Sequence, residues 1–149
     1  MAGMTAYTDD DVAHLAARLL DRTLPKDQWT HAAHLTATLR LVRTRDAGLE
    51  RDLPGIIRAY NEAVGGVNDD TSGYHETITQ AYLAGIRAFA AGLPDGTSDA
   101  EAAAALLKTP MGDKAWPLTH WSRARLFSVE ARRGWVEPDL KPLDHPPAA

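Results

Sequence analysis

Cysteine is absent from the 149 residues, which removes disulfide frameworks, thiol nucleophiles and thiolate metal sites together. No Walker loop, GxGxxG or GxSxG occurs either, so nucleotide cofactors and an esterase triad have no support. No apolar run approaches the roughly 18 residues that span a bilayer. The stretch Met1 to Asp11 lacks the basic-then-apolar order of a signal peptide. Basic residues are the minority, 16 against 20 acidic, for a net charge of −4. A constitutive nucleic-acid binder gains its affinity by neutralising phosphates, so this balance argues against one. The expectation is a soluble cytoplasmic single domain over 1–149, with neither nucleic acid nor membrane as partner.

Runs of β-branched residues are also missing. Ala, Leu and Arg dominate, and apolar positions recur at helical spacing, which predicts an all-α bundle of about four core helices plus short C-terminal helices. The first helix is expected from Asp9 to Arg22, opened by a capping box of Thr8 and Asp11, with Val12, Leu15, Ala16 and Leu19 inward. The second runs from Trp29-Thr30 to Arg45, with Thr30 as N-cap. The third covers Leu49 to Val64, its inner face built from Leu49, Leu53, Ile56, Tyr60 and Val64. Pro54 either kinks that helix or marks its true first turn. Gly65-Gly66 stops it and opens a polar loop to Gly73.

The fourth helix is expected from Tyr74 to Ala91, capped by Thr71 or Ser72, with Ile78, Tyr82, Ile86 and Phe89 inward. A fifth starts at the capping box Ser98–Glu101 and ends before Pro110. Trp116 to Val136 reads as one or two short helices bounded by Pro117, Ser122 or Ser128. The last twelve residues hold Pro138, Pro142, Pro146 and Pro147 and read as an extended surface tail.

Two stretches carry candidate chemistry. In Trp29-Thr30-His31-Ala32-Ala33-His34-Leu35, an advance of roughly 100° per residue puts Leu35, Thr38 and Val42 within about 40° of His31, and His34 about 60° away. Both histidines thus lie on the apolar stripe. In Gly73-Tyr74-His75-Glu76-Thr77, His75 lines up with Tyr82 and Ile86 and also faces inward. With antiparallel packing of consecutive helices, the second and fourth run parallel, and their first turns meet at one end of the bundle.

Three converging imidazoles suit an open metal site for zinc, iron, nickel or manganese: metal ligands His31, His34 and His75, with free positions for water and substrate. The same histidines equally suit a metal-free polar pocket or hydrogen-bonded core positions. Glu76 is the nearest general base and Tyr74 a hydrogen-bond donor to substrate. Asn61, Asn68 and Arg123 are candidate ligand-binding residues, with Arg125 beside them. The acidic loop 68–72 lacks the spacing of an EF-hand. His14, His120 and His145 carry no functional expectation, although His120 beside Trp121 suits a further pocket wall.

The segments WTHAAHL, YNEAVGGVNDDTSGYHETIT and SRARLFSVEARRGWVEPDL resemble a family of bacterial hypothetical proteins over nearly the whole chain. No activity is established for that family, so the resemblance implies no catalytic role. The three histidines also resemble those of the DinB/YfiT-like helical bundles, which implies a four-helix fold and a three-histidine metal site. The wide histidine spacing and fourth-helix HxxxH element of that group are not reproduced here.

Three functions follow as expectations. The first is a small metal-dependent enzyme, hydrolase- or lyase-like, acting on a small polar molecule. The second is a non-catalytic module that binds a small anion or other small molecule in the histidine pocket, with help from helix N-termini. The third is a structural or homodimeric interaction protein, using the Ala-rich segment Ala100–Ala105 and the Trp-bearing C-terminal section.

Overall fold

A computed structural model describes residues 6–45 and 47–148. Within them the chain is all-α, as the missing strand signals require, and holds no strand. The long helices are α1 (Asp9–Asp21), α2 (His31–Arg45), α3 (Leu49–Ala63), α4 (Glu76–Ala91) and α5 (Asp99–Leu107). Three short ones follow, α6 (Pro117–His120), α7 (Arg123–Leu126) and α8 (Val129–Arg133), where the sequence suggested one or two. Ser122 and Ser128 are their boundaries, each accepting a hydrogen bond from a backbone N–H three residues on.

The caps at α1 and α5 are as expected. Thr8 with Asp11, and Ser98 with Glu101, form reciprocal capping boxes, and Thr30 Oγ1 accepts from the Ala33 N–H at the start of α2. The fourth helix differs. It begins at Glu76 rather than Tyr74, and its N-cap is His75, whose Nδ1 accepts the Ile78 N–H at 3.2 Å. Thr71 and Ser72 instead close a tight turn, both donating backbone N–H groups to Asp69 Oδ1 at 2.9 Å.

Helix α2 is the axle of the fold. It packs on α1, α3, α4, α5 and the turn at 110–112, and eight of its fifteen residues are buried, from Ala33 to Val42. In α5, Ala102 and Ala103 are fully buried against this core, so part of the Ala-rich segment is used within the chain. Helix α3 turns Ile57 inward, with Ile56 only partly covered. A second, smaller core gathers Ala81, Trp121, Leu126 and Leu143 beneath the C-terminal section. Trp121 Nε1–H donates to the Val136 carbonyl at 3.0 Å. The proline-rich tail is pinned as well as extended: the Leu140 N–H donates to the His120 carbonyl, His120 Nδ1 bonds the Lys141 carbonyl, and Leu143 is buried. Among the described residues, no helix is long and apolar enough to cross a membrane.

Pro54 lies inside α3 without ending it. Proline has no N–H, so the carbonyl four residues earlier, that of Glu50, loses its helical donor. Gln80, buried on α4, supplies the replacement: its side-chain N–H donates to the Glu50 carbonyl at 3.2 Å. The helix defect thereby becomes a tie between α3 and α4. Gln80→Leu is expected to destabilise the protein by about 1 kcal/mol in urea unfolding, because it removes that bond. In a Pro54→Ala background, where residue 54 regains its N–H, the same substitution should cost clearly less.

Candidate functional site

The N-terminal half of α2 carries His31 and His34 into the interior because α2 is enclosed along most of its length. Trp29, in the turn before α2, stacks on the His34 ring at 3.6 Å between centroids and 28° between planes. Trp29 also meets Tyr60 edge-on at 5.3 Å. Tyr60 is itself fixed, its buried hydroxyl donating to the Leu24 carbonyl at 2.8 Å. His34 is therefore clamped by an aromatic pair held from α3.

Two cavities adjoin this clamp and share His34, Ile57, Ile78 and Thr79 as common walls. The first, of about 380 Å³, is mostly apolar, with Leu35, Leu53, Leu118, Leu126 and Phe127 in its lining and His31, Tyr82 and Lys114 among its polar groups. The second, of about 560 Å³, lies under the loop 66–73 and is lined by Trp29, Tyr60, Asn61, Tyr74 and His75 among others. All three predicted histidines thus line one pair of adjoining cavities.

They do so in different states. His31 Nε2 bonds the Met111 carbonyl at 2.9 Å, so that nitrogen carries the proton. His75 uses both nitrogens: Nδ1 accepts from Ile78 N–H, and Nε2–H donates to the Leu126 carbonyl at 2.7 Å. Burial, as the largest cause, lowers the His75 pKa, which keeps the neutral form that the cap requires. The His34 ring makes no hydrogen bond to any described residue. Burial, and to a smaller extent the neighbouring His31, push its pKa from 6.5 down to about 3. It is a neutral donor–acceptor pair at the junction of two cavities.

This arrangement does not fit a three-histidine metal centre. A ligand imidazole needs a free lone pair aimed at the ion, and His75 has neither nitrogen to spare. Among the described residues, no group of three or more His, Asp or Glu side chains is placed to hold a metal ion.

The other predicted residues are dispersed. Tyr74 lines the second cavity, but its hydroxyl donates to Glu76 Oε1 at 2.5 Å, and the Arg58 guanidinium lies 4.5 Å over its ring. Burial, then the bonded Glu76, raise the Tyr74 pKa. Glu76 faces away from the histidines, into a separate groove with Glu50, Gln80 and Trp135. Asn68 is consumed in folding the loop. Its Oδ1 accepts from Asn61 Nδ2 and the Tyr74 N–H, and its Nδ2 donates to the Arg58 carbonyl and Glu62. Arg123 is exposed on α7 and lines neither cavity, and Arg125 Nε donates to the Glu137 carbonyl at 2.6 Å.

Sequence reasoning missed the wall that the C-terminal section contributes. Lys114, Pro117, Leu118, Leu126 and Phe127 close the first cavity, from turns and four-residue helices too short to show a periodicity. It also missed the loop latch, in which Arg133 grips Asp70 through two bonds of 2.7 and 2.6 Å while Arg132 donates to the Gly73 and Tyr74 carbonyls. The doublet Arg132-Arg133 and the acidic pair Asp69-Asp70 were its only visible signal. Comparison with family models, with curated proteins and with solved structures finds no match to this chain.

The low His34 pKa has a consequence for stability. The folded value lies below the unfolded one, so on acidification the unfolded chain takes up a proton at His34 first. This site's contribution is intact above pH 6.5 and is lost as pH falls toward 3, at about 1.4 kcal/mol per pH unit at most. His34→Phe keeps a ring against Trp29 and cannot be protonated. Its unfolding free energy should fall less steeply than wild type between pH 6 and 4, while the lowered His75 pKa leaves a residual slope of the same sign.

Proposed function

We propose that this protein is a small-molecule binding module, and that its ligand has an apolar body and at least one hydrogen-bonding group that His34 recognises. The observation that carries this reading is the unpartnered, neutral His34 ring at the shared wall of two cavities. His34 is half-buried, and a polar ring so placed ordinarily finds a protein or water partner. Here the aromatic clamp fixes the ring while its polar edge stays uncommitted, as a recognition group requires. Half of the first cavity's lining is Leu, Ile or Phe, which favours an apolar ligand over the small polar molecule expected from the sequence.

Acid–base catalysis fits the same ring less well. A general acid or base works best with a pKa near the operating pH, and about 3 is far from it. Metal-dependent hydrolysis or lyase chemistry would require His75 Nδ1 to release the Ile78 N–H and so uncap α4. Elemental analysis of untagged protein should accordingly find far less than one equivalent of zinc, iron, nickel or manganese. A stoichiometric metal would support the enzyme reading instead.

The binding reading is tested by filling the junction. Aminoanthracene, an uncharged fluorescent aromatic, is expected to bind wild type with one-site stoichiometry. Ile78→Trp places an indole at the wall common to both cavities and should abolish that binding while the melt stays cooperative. Unchanged binding by a folded Ile78→Trp variant would show that the probe sits elsewhere and would overturn the assignment.

A further inference from the structure

The distribution of charge around the two cavities narrows the ligand class. The chain carries 20 acidic residues and a net charge of −4, yet among the described residues no Asp or Glu lines either cavity. The groove on the other side of α4 is the contrast, with Glu50, Glu76, Glu137 and Asp144 in its lining. Each acid-free cavity instead carries one lysine, Lys114 in the first and Lys26 in the second. Lys114 sits in the exposed turn before α6. No hydrogen bond or ion pair joins its ammonium to any described residue; Asp113, beside it in sequence, accepts the Ala115 N–H at 2.8 Å and, after burial, helps raise the pKa of Tyr82 in the cavity wall. A lone ammonium beside apolar walls attracts an anion more strongly than it would in open water, because the low-dielectric wall screens it less.

His34 adds a donor of the same sense. It is neutral and lines the same cavity, so its ring offers an N–H to a ligand there. The cavity volume of about 380 Å³ equals that of about a dozen liquid waters, which suits a ligand on the order of ten non-hydrogen atoms. One cation matches one negative charge. We propose that the first cavity takes a medium-length monocarboxylic acid, its apolar body against Leu35, Leu53, Ile57 and Ile78 and its carboxylate paired with Lys114. This rests on the binding reading above and specifies the ligand for it.

The test compares three amphiphiles of one chain length, octanoate, octanol and octylamine, by calorimetry or by displacement of aminoanthracene. Octanoate is expected to bind about twofold to fivefold more tightly than octanol, and octylamine more weakly than either. Added salt should reduce the octanoate advantage. Because Lys114 is exposed, its substitutions leave the core untouched: Lys114→Met should bring the acid-to-alcohol ratio close to one, and Lys114→Glu should reverse the order toward octylamine. Lys141→Met, which removes the same charge at a position lining neither cavity, should keep the wild-type ratio. Equal binding of all three amphiphiles, or an acid preference that survives Lys114→Met, overturns the carboxylate assignment and leaves the binding reading standing. No binding of any of them, and none of aminoanthracene, overturns both.

Discussion

The enclosure of α2 by its neighbours is the constraint from which the site follows. A helix covered on nearly every side has no solvated face on which to put its polar residues. His31, His34, Thr36 and Thr38 must therefore find partners inside or go without. Thr38 finds one in the His34 carbonyl at 2.8 Å, and His31 finds one in Met111. Thr36 Oγ1 is buried with no partner among the described residues. His34 is given a stacking surface in Trp29, lines both cavities and has no hydrogen bond to a described residue. Burial then does the electrostatic work, holding the ring neutral across the physiological range.

The C-terminal third completes what the five long helices leave open. It supplies one wall of the first cavity, and it fixes the roof of the second through Arg132, Arg133 and the bond from His75 to Leu126. His75 links the two tasks. It caps α4 with one nitrogen and holds α7 with the other, so the start of α4 and the cavity wall move as one unit. Exposed ion pairs such as Arg133–Asp70 contribute little stability singly. Here the same pair acts mainly by fixing where the loop lies.

Much of the fold was legible in the residues, and the reason is local. The capping boxes at Thr8 and Ser98, the inward stripe of α1 and the stop at Gly65-Gly66 depend on neighbours within four positions, which any reader of the chain can see. Helical phase also put His31, His34 and His75 toward the interior, and they line two adjoining cavities, His31 the first, His75 the second and His34 both. What those rings do was not legible. The partners that commit His31 and His75 lie 80 and 51 residues away, on backbone carbonyls that carry no sequence signal. Glu76, about 100° round the helix from His75, opens α4 and lines the opposite groove, as helical phase alone indicates. The start of α4 was read two residues early because a histidine cap has no place among the usual Ser, Thr, Asp and Asn.

The central claim is that His34 remains a neutral, unpaired hydrogen-bonding group at the junction of the cavities. Nitrogen-detected NMR of the imidazole rings, followed from pH 8 downward in ligand-free protein, measures this at the atom concerned. His34→Phe identifies the resonance by its loss. The account predicts that the ring nitrogens keep the shifts of a single neutral tautomer until the protein nears acid unfolding, consistent with a pKa of about 3. Titration of His34 near pH 6.5, the ordinary histidine value, would contradict it.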